Sequence, residues 1–215
     1  MTKHKTYKAS PIKDFLWHEA IRLRPGMYLG NVNIHGFISN LKNLLIFSIN
    51  TLNLDCFSFE FIDTHTGILK FQNIKQPIKD QWSEWSSNPL YSFFLELSVL
   101  NALSEIFIVE LLDLKSDSLI KHEFTKGVLE KGKPLHRPVH SDYLTITFTL
   151  DKDIWGETFK WHTDYINTEI KEFAYLYRHV KFKTHYSIDN TRCSSFFHFE
   201  NGIYDKVVLS QLKNW

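Results

Sequence analysis

The chain has 215 residues, 43% of them hydrophobic and 15% aromatic, which is enough apolar material for one sizeable core. Its 25 basic and 24 acidic side chains leave a formal charge of +1, so the overall balance gives no indication of direct nucleic-acid binding. The apolar run at Leu44–Phe47 falls far short of the roughly 20 residues of a membrane helix. Cys56 and Cys193 lack metal-ligand spacing and the N-terminus lacks a secretory apolar stretch, so the expectation is a reduced, cytoplasmic protein without membrane contact.

Residues 1–10 read as a solvated tail and residues 11–215 as one domain, because no repeat, linker or low-complexity tract interrupts them. Ser10 as N-cap and Pro11 at the first helical position predict a helix that Pro25 and Gly26 end. Phe37, Leu41, Leu44, Leu45, Ile49 and Leu52 recur at three- and four-residue spacings and predict a long second helix with one broad apolar face. The period then changes to two, with Gly67 as the turn signal of a hairpin over residues 57–73.

Asn88 and Pro89 open a third predicted helix. A hairpin follows over residues 106–124, then a strand at Tyr143–Leu150, a helix over residues 164–179, a hairpin turning at Asp189 and Asn190, and a closing helix. Helices mixed with mainly antiparallel strand pairs predict an α+β fold, a two-layer sandwich.

The segment "EAIRLRPGMYLG" resembles the opening of the ATPase domain of the gyrase B and topoisomerase IV B proteins, members of the GHKL superfamily. "LSVLNALSEIFIVEL", "HEFTKGV", "EIKEFAYLYRHVKF" and "FHFENGI" resemble later parts of that domain in the same order, so the resemblance runs from about Phe15 to Leu212. It implies helices on one face of a mixed, mainly antiparallel sheet. It also implies that the family's second domain and DNA-gate parts are missing here.

Hydrolysis in that family uses E-x-x-x-N on a helix, a glutamate that deprotonates water and an asparagine that holds magnesium. Counted from Gly36, these places fall on Asn43 and Phe47, and no acidic residue stands anywhere between Gly36 and Leu54. Asn43 either lines a residual cavity or faces solvent; Phe47 is either a core aromatic or protrudes into a remodelled pocket. The family's D-x-G-x-G becomes Asn73, Ile74, Lys75, Gln76 and Pro77, where Asn73 retains a weak adenine contact and Pro77 restricts the backbone.

Tyr91, Phe94 and Glu96 occupy the places of phosphate-binding glycines, and all eight glycines lie outside residues 68–126. The family's adenine-supporting threonine falls near Leu144, with Thr145 beside it. The resemblance thus implies a nucleotide-pocket remnant at Asn43, Phe47, Asn73, Gln76, Pro77 and Leu144. The expected function is a degenerate ATPase-like domain that binds or regulates without hydrolysis. The alternatives are nucleotide sensing with ATP or ADP bound, and association with a protein partner such as a topoisomerase subunit.

Other constellations carry less chemistry. His136 and His140 stand between prolines and lack further ligands for a zinc set, and His122 reads as a strand residue. Asp151 and Asp153 read as a solvated turn. The aromatic cluster Trp82, Trp85, Tyr91, Phe93 and Phe94 either plugs the vacated pocket or presents Trp82 and Trp85 to a partner.

Overall fold

The computed structural model describes residues 15–75, 94–113, 118–131, 142–188 and 191–212. The cluster from Trp82 to Phe93, the Phe94 side chain, the His136 and His140 pair, and Ser10 with Pro11 lie outside it. Helix α1 spans Trp17–Leu23, so it starts later than Pro11. Leu16 is extended (φ −64°, ψ 151°), and its amide donates to Glu19 Oε2 at 3.1 Å, which supplies the cap.

A short helix α2, Gly26–Leu29, precedes α3 at Ile34–Phe47. Asn33 caps α3 by accepting from the amides of His35 (2.9 Å) and Gly36 (3.3 Å). Gly36 is obligatory for a packing reason, since a Cβ there would lie 1.7 Å from the Asn31 carbonyl oxygen. The helix widens into a π turn at Ser48–Leu52 and stops at Asn53, whose φ of 50° is left-handed.

Eight strands form one sheet: β1 Cys56–Phe61, β2 Thr66–Gln72, β3 Ser104–Asp113, β4 Ser118–Thr125, β5 Val128–Lys131, β6 Tyr143–Leu150, β7 Lys181–Ile188 and β8 Thr191–Phe197. Their spatial order is β5-β4-β3-β6-β2-β1-β7-β8. Every neighbouring pair is antiparallel except β1 with β7, which is parallel. Strand β5 and helix α2 were not anticipated, because four-residue segments carry too little periodicity to detect.

Alternation along the strands sends Phe57, Phe59 and Phe61, Leu69 and Phe71, and Leu144, Ile146 and Phe148 into the core. Helices α3, α4 (Phe94–Ala102) and α6 (Thr163–Leu176) cover that side, while α5 (Lys152–Trp155) adds the buried Trp155 and α7 (Ile203–Leu212) packs against α6. From α3, Phe37 stacks on Phe59 at 5.8 Å and meets Trp161 edge-on at 5.0 Å. The other side of the sheet is polar, with Lys70 paired to Glu60 at 2.6 Å.

Two expectations need correction. Gly67 belongs to β2, not to the turn, and a Cβ on it would press to 2.7 Å from the Phe59 ring and 2.8 Å from Phe148. The turn is formed by Ile62 to His65, where Asp63 Oδ1 accepts from the amides of His65 and Thr66, both at 2.7 Å. Asp151 is not a solvated turn residue but 3% exposed. It caps α5 through the Asp153 amide (3.0 Å) and receives Arg22 Nη2 at 2.6 Å and Lys126 Nζ at 3.2 Å.

Candidate functional site

Residues four apart on a helix share one face. On α3 this rule brings Asn43 and Phe47 to a cleft of about 310 Å³, together with Ile46, Asn50, Thr51 and Glu96. An adjoining cleft of about 180 Å³ is lined by Met27 and Tyr28 from α2, Ser39, Asn40 and Asn43 from α3, and Leu95, Glu96 and Val99 from α4. Asn43 and Glu96 belong to both and mark the junction.

Helix α4 is fixed at both ends, so Glu96 has a defined place. Asn40 Nδ2 donates to the Glu96 carbonyl at 3.2 Å near the N-terminus. At the other end Arg22 Nη1 donates to the Ala102 carbonyl at 2.8 Å and Trp155 Nε1 to the Leu103 carbonyl at 2.9 Å. Burial pushes the Glu96 carboxyl above its ordinary value, with its own amide only partly opposing this.

No model of a known protein family matches the chain. It is 27% identical over 228 aligned residues to the DNA gyrase B protein of Borreliella burgdorferi, covering 92% of this chain and 34% of that protein. Its fold superposes with a TM-score of 0.70 on the 43K ATPase domain of Thermus thermophilus gyrase B, solved in complex with an aminocoumarin. That match has 19% identity and covers 89% of this chain and 54% of the other. The chain has the fold of a gyrase B-type ATPase domain. It spans about a third of the length of the curated relative and about half of the solved structure.

Within this fold the six predicted pocket residues are only partly brought together. Asn43 is exposed in the cleft, and Phe47 is half-buried, so it lines the larger cleft while packing against the core. Asn73 is exposed at the end of β2 with a left-handed φ of 57°. The chain beyond it runs to the C-terminal end of the α3 helix, where the Lys75 amide donates to the Leu52 carbonyl at 3.1 Å. Leu144 is 1% exposed between Phe71 and Leu111 and does not line the cleft, because the pleat turns it into the core. Gln76 and Pro77 lie outside the described residues.

Sequence reading missed Tyr28, Asn50, Thr51 and Ser39. Asn50 was detectable, since it stands seven residues after Asn43 on the same helical face; Tyr28 comes from a different helix and gave no signal.

The donor set of the described cleft walls does not fit magnesium. Among the described residues no group of three His, Cys, Asp or Glu side chains stands together, and Phe47 presents a phenyl ring, not an oxygen, to the cleft. It does not fit a triphosphate either, since among the described residues no Lys, Arg or His lines either cleft and Glu96 is an acid at their junction. No described helix is long and apolar enough to cross a membrane.

Proposed function

We propose that this gyrase B-type domain does not hydrolyse ATP and acts as a binding or regulatory module. One observation carries the reading: α3 presents Asn43 and Phe47 to the cleft, one turn apart, at the places where the family resemblance puts the base and the magnesium ligand. An amide cannot take the proton of an attacking water, and a phenyl ring cannot coordinate a hard cation. A steady-state assay with the purified chain is expected to show no magnesium-dependent phosphate release. Turnover that a cleft mutation abolishes would overturn the reading.

A second reading, nucleotide binding without turnover, is favoured by the cleft itself. Its volume of about 310 Å³ stands at the small end of ligand sites, and Asn43 and Asn50 offer amide donors and acceptors. Thermal melts with millimolar ATP, ADP or GTP decide it, because a ligand at 100 times Kd stabilises by about 2.7 kcal/mol. By family analogy we also propose a protein partner from a topoisomerase, docking on the exposed apolar side chains Ile203, Tyr204 and Val207 of α7. Native pull-down against the gyrase and topoisomerase IV proteins tests it, and absence of both from the eluate removes it.

A further inference from the structure

We propose that the cleft along α3 binds an organic cation, an amine or guanidinium, with Glu96 as its counter-ion. The proposal rests on the reading that this site has left ATP chemistry, and goes beyond it by naming the class of ligand.

The first observation is a carboxylate without a countercharge among the described residues. Several buried or partly buried acids elsewhere in the molecule have a cation within reach: Asp151 has Arg22, Glu60 has Lys70, Glu169 has Lys42, and Asp55 has Lys75. Glu96 takes part in none of the ion pairs among the described residues, although it sits at the junction of two clefts. Its position in the first turn of α4 explains why an acid is tolerated there, since the positive end of a helix favours one. It does not explain why no cation faces it from α2 or α3.

The second observation is what surrounds it. Asn43 and Asn50 supply amide oxygens that accept from an N–H donor, and Phe47 and Tyr28 supply aromatic rings to the walls. Among the described residues Tyr28 and Glu96 are the titratable ones lining the clefts, so the described walls contain no positive charge. Burial already disfavours the Glu96 carboxylate, and an incoming cation relieves that penalty where a phosphate would add to it. The same chemistry can come from a free small molecule or from the arginine or lysine of a partner.

The experiment uses the full chain, calorimetric titration and thermal melts, with agmatine, N-acetyl-arginine methylamide and ATP as probes. Agmatine or the arginine derivative is expected to bind saturably, and Glu96→Gln to weaken that binding at least tenfold while still melting cooperatively. Asn43→Lys places an amine in the same cleft and is expected to weaken it likewise, which keeps the test valid if Glu96→Gln fails to fold. Tighter binding of the arginine derivative assigns the cation to a protein side chain, and tighter binding of agmatine to a small molecule. Absence of saturable binding by either cation, unchanged binding to Glu96→Gln, or ATP binding as tight as the cations would overturn the proposal. ATP turnover would instead sink the earlier reading, so the two failures are distinguishable.

Discussion

Asp151 joins three parts of the chain that sequence separation keeps apart: α1 through Arg22, the β4–β5 turn through Lys126, and α5 through its cap. Burial alone would raise its carboxyl, but the hydrogen bonds from Arg22, the Asp153 amide and Lys126 outweigh this and hold it below the ordinary value. A lowered native value means the stabilisation is complete above the unfolded carboxylate range, about pH 4, and is lost as pH falls from there through the native value. Asp151→Ala leaves Arg22 its bond to the Ala102 carbonyl but no countercharge, so denaturant melts at neutral pH should show a loss of about 3 kcal/mol, shrinking in acid. Gly67→Ala acts by overpacking, pressing on the Phe59 and Phe148 rings, and is expected to lose about 1–3 kcal/mol in the same measurement. Neither role was legible in the sequence: the partners of Asp151 are distant along the chain, and a glycine between two β-rich runs looks the same whether it turns or packs. Asn43 and Phe47 were legible, because four-residue spacing alone puts them on one helical face.

Among elements, α3 does most to define the site, since it covers the sheet with one face and lines the cleft with the other. Its apolar period marked it clearly, and the start was set by Asn33 and Gly36. Gly36→Ala would drive a methyl group into the Asn31 carbonyl, which is backbone and cannot rotate aside. The expected loss is at or beyond the upper end of about 1–3 kcal/mol, with the cleft disturbed as well, and circular dichroism with denaturant melts would measure it. Helix α1 was placed correctly at its C-terminus, where Pro25 and Gly26 are strong punctuation, and wrongly at its start. Glu19 provides the cap from inside the helix, a role that Ser10 and Pro11 had obscured. The three hairpins were legible from their period of two, whereas β5 was too short to register.

At the scale of the whole molecule, the mixed sheet with helices on one face followed from the sequence pattern and the family resemblance, and its strand order did not. Local period tells which residues face inward but not which strand lies beside which. The parallel contact of β1 with β7 is the case in point: Phe57 stands beside Phe182, and the Lys181 amide donates to the Asp55 carbonyl at 2.9 Å. This pairing carries a consequence for synthesis. A nascent chain that had paired β1 with β2 before β7 was made would hold the other flank of β1 bare, so an early segment would wait for a late one. A chain terminated after Leu176 would keep that flank open permanently, and is expected to aggregate or be degraded by limited proteolysis where the full chain survives. For this fold, the order in which residues leave the tunnel is the reverse of convenience: the seam is among the last things to close.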